Sequence, residues 1–454
     1  MPTSIVILAA GQGKRMHSNL PKVLQPLGGR CLLEHVVATA AGLPEARLYI
    51  VYGHGGERVR KSLDHLDVTW VEQPEQLGTG HAVSQALPLM DDDDVVLVLY
   101  GDVPLVRMET MATLTDTAGD GALALLTTAL AEPEGYGRIV RDDSGAIVRI
   151  VEDKDATETE RAIDEVNTGL MAAPAALLRQ WAAKLSNDNA QREYYLTDVI
   201  AMAVADGVNV AGITAPSDEV LGVNDRVQLS MAEAVLRERS AEALMTAGVT
   251  LRDPQRIDVR GELICGRDVV IDINCVFEGN VRLADGVHVG PNCIVRDTTV
   301  GAGTEILPNS LLESADVGAN CRIGPFARLR PEARLADDVH IGNFVEVKKS
   351  DIGRGSKANH LTYIGDASVG SGVNVGAGTI TCNYDGVNKH RTVIGDNVFV
   401  GSDTKFVAPV TIGSGATIGA GSTITKDVPA NELALERARQ TIVRGWKRPA
   451  KKKN

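Results

Sequence analysis

Two stretches of this chain carry side chains able to do chemistry, and each suits a different reaction. In KANHLTYIGD, residues 357–366, His360 is followed by Tyr363, and the spacing described below brings Arg330, Lys348 and Lys389 close to it. A lone histidine is more often structural than catalytic. Among cations able to hold a phosphate, however, an imidazole with a reference pKa near ~6.5 can take a proton from an attacking amine at neutral pH. Near the N-terminus, LAAGQGKRM…PKVL (residues 8–24) combines glycines, whose backbone N–H groups can approach phosphate oxygens, with the positive charge of Arg15 and Lys22. It is neither GxGxxG nor a P-loop, so the generic dinucleotide and Walker readings fail. Tyr100-Gly101-Asp102 ends a later apolar run. Its Asp either caps the next helix or holds Mg²⁺, which takes one or two carboxylates plus substrate phosphates.

The elements that must position His360 form a repeat. An aliphatic or similar small apolar residue recurs from Val259 through Cys265, Ile271, Phe277, Leu283, Val289 and Val295, and onward to Val375. It returns from Ile394 to Ile424. Of 26 intervals, 21 are six residues, four are five and one is nineteen. One inward residue per six is a short strand plus a turn, and three such units close a triangular coil. The 27 positions therefore predict about nine coils of a parallel β-helix, each burying the face of the next. The long interval predicts a thirteen-residue excursion within TITCNYDGVNKHRTV. Such an excursion is either a tolerated surface loop, polar only for solubility, or a binding insertion, and its position one coil after His360 favours binding.

The N-terminal half alternates strand-like runs (SIVILAA, LYIVYG, VTWVEQ, VVLVLYG, ALALLTTAL) with helical patterns after Pro21, over Gly80 to Leu89 and over Asn189 to Ala205. Continuous apolar strands between amphipathic helices predict a mostly parallel, doubly wound sheet, with ligands at the carboxyl ends of its strands. EQPEQLGTGHA, EGYGRIV, IVEDKDA, VNTGL and GVND are polar or Gly-containing turns beside such runs, suited to contact base, sugar or metal.

Composition narrows the function classes. At 454 residues the chain is too long for one ordinary core. Its formal charge of −13 argues against nucleic acid or an anionic membrane as its main partner. No apolar run approaches bilayer length. MPTSIVILAAGQGKRM reads as a first strand rather than a signal peptide, and the six cysteines include no CxxC pair, so neither a disulfide framework nor a zinc site is expected. The expected compartment is the cytoplasm.

LAAGQGKRM…PKVL, QLGTGHA, YGDVPL, GYGRIV, NTG and GVND, followed by a hexapeptide helix with KANHLTYIGD and GAGTITCNYDG…K, resemble in the same order the bifunctional bacterial N-acetylglucosamine-1-phosphate uridyltransferase/glucosamine-1-phosphate acetyltransferase family. The resemblance covers nearly the whole chain. It implies a Rossmann-like nucleotidyltransferase domain (residues 1–226), a linker helix (227–248), a left-handed β-helix acetyltransferase domain (249–434) and a basic tail (435–454). It implies acetylation of glucosamine 1-phosphate by acetyl-CoA, then uridylyl transfer from UTP to N-acetylglucosamine 1-phosphate with release of pyrophosphate. The product would feed peptidoglycan and lipopolysaccharide synthesis.

Carried over residue by residue, the resemblance makes His360 the base for the ammonium. Arg330, Lys348, Tyr363 and Lys389 would hold the sugar phosphate, with Asn374 lining the site. Asn383 would position the amine beside Tyr384, and Ala377, Ser402, Ala420 and Arg437 would meet acetyl-CoA. In the other half, Arg15 and Lys22 would neutralise developing charge, and Asp102 and Asn224 would hold Mg²⁺. Leu8, Ala9, Gly11, Tyr100 and Gly101 belong to the nucleotide-binding motifs; Gln73, Gly78 and Thr79 would read the uracil side; Gly137, Glu152 and Asn167 the sugar. The family commonly has a small hydroxyl residue where this chain has Lys14, whose role stays open. Cys382 reads as structural, because a thioester and a free amine need no acyl-enzyme.

Residues 225–247 read as one long helix with a narrow stripe of Val227, Met231, Val235 and Leu236, as in an arm touching a neighbour on one side. The tail RGWKRPAKKKN reads as a solvated terminus, or else as a contact for coenzyme A phosphates. The family associates as a homotrimer through the β-helix, with the acetyl site between chains. Three rivals stand beside the bifunctional reading: a pyrophosphorylase whose β-helix only assembles it, a scaffold with two vestigial sites, and a lone acetyltransferase. The joint presence of Lys22, Asp102 and His360 speaks against all three.

Overall fold

The computed structural model describes residues 2–11, 13–53 and 56–451, with the side chain of Lys14 also outside the described set. The chain divides into two compact units, Met1–Leu236 and Arg237–Asn454.

The first unit is built on strands β1 (Thr3–Leu8), β2 (Ala46–Tyr52), β3 (Thr69–Glu72), β4 (Val95–Tyr100), β5 (Leu123–Ala129), β6 (Arg138–Arg141), β7 (Ile147–Val151), β8 (Glu165–Pro174) and β9 (Val210–Thr214). Their main order is β9-β5-β8-β4-β1-β2-β3, with β6 and β7 forming a hairpin on β8. Alternate residues of β1 enter different cores, Ile5 and Ile7 on one face and Val6 and Leu8 on the other. That is why the run is continuously apolar: both faces are covered by helices. The chain leaves β1 towards β2 on one side, while β4 lies on the other, so a crevice opens at their carboxyl ends. In register, Leu8 faces Tyr100, which sets the Gly-rich loop beside Tyr100-Gly101-Asp102.

Two sequence expectations need correction here. Only Asp198–Ala205 of the stretch from Asn189 is α-helical; the Asn189 side chain instead accepts from Gln191 N and Glu193 N and closes a turn. After Pro21 there is a 3-10 turn (Lys22–Leu24), and the helix begins only at Leu32. Strand β8 had no strand signature because VNTGL breaks its pattern; it runs antiparallel to β4 and β5 with a register shift between Asn167 and Met171.

A helix spans Arg226–Thr246. Within the first unit its inward face is Leu229, Ala232, Val235 and Leu236, packed with Leu27, Leu32, Leu105 and Val223. Val227 and Met231, expected in the stripe, are exposed, because the i, i+3, i+7 line through Leu229 takes the buried side.

The second unit is a parallel β-helix with three walls of short strands. Every repeat position from Ile271 onward is buried, and Val259 and Cys265 pack against the same core at its first coils. Each buried aliphatic side chain contributes roughly 1.5–3 kcal/mol of transfer free energy, which a slim prism with few large rings gathers by repetition. Corners turn through left-handed backbone at Asn292, Asn309, Asn320, Asp338 and Asn397, residues whose short polar side chains tolerate it. The excursion is shorter than expected. Register steps along one wall are 17 from Ala358 to Val375, 25 from Val375 to Val400 and 18 from Val400 to Ile418. The insertion is thus seven or eight residues, because Thr381 occupies an inward position that an apolar repeat search skips. Its hydroxyl is satisfied there, accepting from Gly365 N at 2.8 Å and donating to Gly365 O at 3.1 Å.

Candidate active sites

In the first unit, Leu8, Ala9, Gly11, Lys22, Gln73, Gly78, Thr79, Tyr100 and Asp102 line one cleft of about 320 Å³, joined by Gln76 and Glu193, which sequence reasoning missed. Gly101 N–H donates to Leu8 O at 2.9 Å, tying the two strand ends together. Gly78 has φ 110, and a Cβ there would meet Tyr194 O at 2.7 Å, so only glycine fits where the chain enters the helix Thr79–Ala86. Gln73 Nε2 donates to Gly78 O at 3.2 Å and lies 3.1 Å from His81 Nδ1.

At the floor of this cleft the Lys22 ammonium is ion-paired with Asp102 and donates to Asn224 Oδ1 at 3.0 Å. Asn224 is brought there by Val223 N–H, which donates to Asp102 O at 2.8 Å, and by Gln228 Oε1, which accepts from Asn224 N at 2.8 Å. Two protein oxygens therefore converge on a single cationic nitrogen. Among the described residues no three or more His, Cys, Asp or Glu side chains are grouped so as to hold a metal ion. A divalent cation here would have these two oxygens plus phosphate and water, the donor set Mg²⁺ takes.

Arg15 lies exposed in a short 3-10 turn and is not among the residues lining the cleft, though Tyr136 feels both its charge and that of Asp102. Gly137, Glu152 and Asn167 come together: Asn167 N donates to Gly137 O at 2.8 Å, and a Cβ on Gly137 would sit 3.6 Å from Glu152 Oε2. Burial raises the Glu152 pKa, against a lowering hydrogen bond from Thr197 at 3.0 Å.

In the second unit the register itself assembles the site. Ala358, Val375, Val400 and Ile418 are consecutive inward residues of one wall, so His360, Ala377, Ser402 and Ala420, each two residues later, stack along one corner. Asp403 N donates to Ala377 O at 2.7 Å, Gly421 N to Ser402 O at 2.8 Å, and the Arg437 guanidinium to Ala420 O at 2.8 Å, which brings Arg437 to the same line. His360 Nδ1 lies 2.7 Å from Asn343 Oδ1. A carboxamide oxygen only accepts, so Nδ1 is the donor in this contact, which makes Nε2 the basic nitrogen of the neutral ring.

In the other sheet of the β-helix, Arg330 pairs with Glu346 at 2.8 Å and Lys348 with Asp366 at 3.8 Å. The adjacent Lys348 ammonium pushes the Lys389 pKa below its usual value. Tyr363 reaches across Gly365, where an added Cβ would meet its Oη at 2.3 Å. Asn383 is buried and donates to Asp366. The tongue after it is organised by Asp385, which accepts from Val387 N at 2.8 Å, Asn388 N at 2.7 Å and His390 Nε2 at 2.7 Å. These bonds, the Asn388 N–H first, hold its carboxyl well below the usual range. Tyr384, exposed, donates to Gly386 O at 2.5 Å and bridges to Lys389, while Asn374 sits in register with Lys357 on the His360 wall. Asn343, Glu346 and Asp366 were not foreseen, yet each lies 16 to 18 residues, one coil, from a residue that was: His360, Arg330 and Lys348 respectively.

Comparison with known proteins agrees with both halves. Residues 5–194 match the MobA-like NTP transferase domain, residues 391–426 the bacterial transferase hexapeptide (six repeats), and residues 259–353 the GMPPB C-terminal domain. The chain is 60% identical over 450 residues to the bifunctional protein GlmU of Aromatoleum aromaticum, covering 99% of each chain. It is 60% identical over 454 residues to that of Methylococcus capsulatus, covering 99% of this chain and 98% of the relative, and 59% identical over 450 residues to that of Azoarcus sp..

Proposed function

This chain belongs to the family of bifunctional GlmU proteins, and from that premise we propose that it makes UDP-N-acetylglucosamine in two steps. The second unit acetylates glucosamine 1-phosphate with acetyl-CoA, and the first transfers uridylyl from UTP to the resulting N-acetylglucosamine 1-phosphate, releasing pyrophosphate. The observation that carries the reading is His360, held by Asn343 at the head of the Ala377–Ser402–Ala420 corner and three residues before Tyr363, whose phenol interacts with both Arg330 and Lys389.

In the acetyl step, the phosphate of the amino sugar is held by Arg330, Lys348, Tyr363 and Lys389, with Asn374 lining the site. His360 Nε2 takes a proton from the substrate ammonium. The freed amine nitrogen forms a bond to the thioester carbonyl carbon and gives up a second proton as the C–S bond breaks; one of the two protons goes to the departing sulfur, so that coenzyme A leaves as a thiol, and the other is released to solvent. Ala377, Ser402, Ala420 and Arg437 line the coenzyme's path, with Asn383 and Tyr384 at its reacting end.

In the uridylyl step, a sugar-phosphate oxygen attacks the α-phosphorus of UTP and pyrophosphate departs. Gln73, Gly78 and Thr79 hold the base, Gly137, Glu152 and Asn167 the sugar, and the Leu8–Ala9–Gly11 backbone and Lys22 the phosphates, with Arg15 drawn in by their charge. Asp102 and Asn224 would hold Mg²⁺, which when bound neutralises phosphate charge.

No helix among the described residues is long and apolar enough to cross a membrane. The substrates, UTP and acetyl-CoA, place the work in the cytoplasm. Phe326 and Phe344, stacked 5.3 Å apart, and Leu361 expose apolar surface on coil corners next to His360. This supports a homotrimer through the β-helix in which a neighbouring copy completes the acetyl site. The half-reactions test the proposal separately. Thiol release from acetyl-CoA should require glucosamine 1-phosphate, and pyrophosphate release from UTP should require N-acetylglucosamine 1-phosphate and Mg²⁺. Thiol release independent of the amino sugar would overturn the acetyl assignment.

A further inference from the structure

Asp366 lies where three coils meet, and its place is set by the main chain. Its backbone is left-handed, with φ 49; its N–H donates to Lys348 O at 3.0 Å, and its carbonyl accepts from Thr392 N at 3.3 Å. The side chain is 11% exposed. One carboxylate oxygen, Oδ2, accepts from the Asn383 amide and lies 3.8 Å from Lys348 Nζ.

We propose that Asp366 is a positioning residue for acetyl transfer, acting through Asn383 without touching substrate; this rests on the acetyl-transfer reading above. The reason is donor–acceptor bookkeeping. A carboxamide has an NH₂ that only donates and an oxygen that only accepts, whereas an ionised carboxylate only accepts. Facing Asp366, Asn383 can use only its NH₂; flipping the amide would set two acceptor oxygens against each other. The Asn383 oxygen is thereby committed to the other side as an acceptor, which is what an ammonium or amine N–H requires. A hydroxyl or a second amide in place of Asp366 would leave both orientations open. The same carboxylate supplies counter-charge to Lys348 beside Lys389, and so competes with an arriving phosphate for that ammonium. Glu346 does the like for Arg330, but it touches no amide.

The test uses the full chain. Asp366→Gly deletes the carboxylate while suiting the left-handed backbone, and Asp366→Asn keeps an acceptor oxygen but adds donors. Initial rates of acetyl transfer at saturating acetyl-CoA should show kcat falling roughly 10- to 100-fold in the Gly variant, the size of loss typical when a group that orients a functional ligand is removed. KM for glucosamine 1-phosphate should stay level or fall, since Lys348 loses its competing partner. The Asn variant should lie between. General damage to the site would instead raise KM. A Gly variant with kcat within two- to three-fold of the wild type, or with KM raised and kcat unchanged, overturns the proposal. If thermal unfolding shows the Gly variant unfolded, the Asn variant decides, and wild-type kcat there overturns it equally. A wild-type chain that acetylates nothing would overturn the acetyl-transfer reading itself, and this proposal with it.

Discussion

The two halves of this chain bring polar side chains together by different means. In the α/β unit each candidate residue sits on its own connection: Lys22 after the Gly-rich turn, Asp102 after β4, Asn224 before the long helix. Their meeting depends on long-range pairing, and no arithmetic on residue numbers forecasts it. In the β-helix, residues one coil apart are neighbours by construction, so Asn343 under His360 and Asp366 under Asn383 follow from a step of 17. A solenoid writes its contacts in the sequence at a fixed period; an open sheet writes them only as motifs.

Substitutions sharpen this contrast, and the largest effects should fall on one half at a time. His360→Ala should cut acetyl transfer by roughly 10²–10⁴-fold through loss of the base while leaving uridylyl transfer intact. Separate assays of the two activities check it, and equal loss of both would sink the idea of independent sites. Asp102→Ala should do the reverse, lowering uridylyl transfer by roughly 10²-fold or more and weakening its dependence on Mg²⁺. An unaltered Mg²⁺ titration in that variant would remove Asp102 from the metal.

Asn343→Ala should cost less, roughly 10- to 100-fold in acetyl kcat, because His360 loses the hydrogen bond that fixes its tautomer and ring angle and steadies the charge it takes on. The pH profile should shift together with the rate; a profile and kcat like the wild type would make Asn343 a bystander. Gly365→Ala should raise KM for the amino-sugar phosphate about ten-fold or less by displacing the Tyr363 ring, with the long repeat core undisturbed.

The smallest effect belongs to Glu152, whose folded pKa is raised chiefly by burial. Such a group favours the folded state below its unfolded pKa, and that contribution is lost as pH rises through the raised folded value. Glu152→Gln removes the titration, so its melting temperature relative to the wild type should climb as pH rises above the usual carboxylate range. A difference that is flat with pH would show that Glu152 is not buried as a carboxylate.

Legibility of the sequence followed the same divide. The apolar period was readable from Val259 to Ile424 because each coil must fill the same narrow interior. It faltered at Thr381, where a hydroxyl satisfied within the core took an inward place, and so the tongue looked longer than it is. The cleft residues from Leu8 to Asp102 were readable as motifs, and Asn224 only through family resemblance, because nothing near GVND announces that Val223 will bond to Asp102. Val227 and Met231 looked like the buried stripe of the long helix, but hydrophobicity alone does not say which side a partner occupies. The contact partners Asn343, Glu346 and Asp366 carried no motif of their own; reading one coil up or down from each candidate would have found them.

The central claim is that this chain carries two activities that act in sequence. The most direct measurement is product analysis by mass spectrometry, giving the purified chain glucosamine 1-phosphate, acetyl-CoA, UTP and Mg²⁺ with each omitted in turn. The account predicts UDP-N-acetylglucosamine only when all are present, and N-acetylglucosamine 1-phosphate accumulating when UTP is left out. Uridylylation of supplied N-acetylglucosamine 1-phosphate with acetyl-CoA never consumed would contradict it, leaving the β-helix a scaffold and His360 without its role.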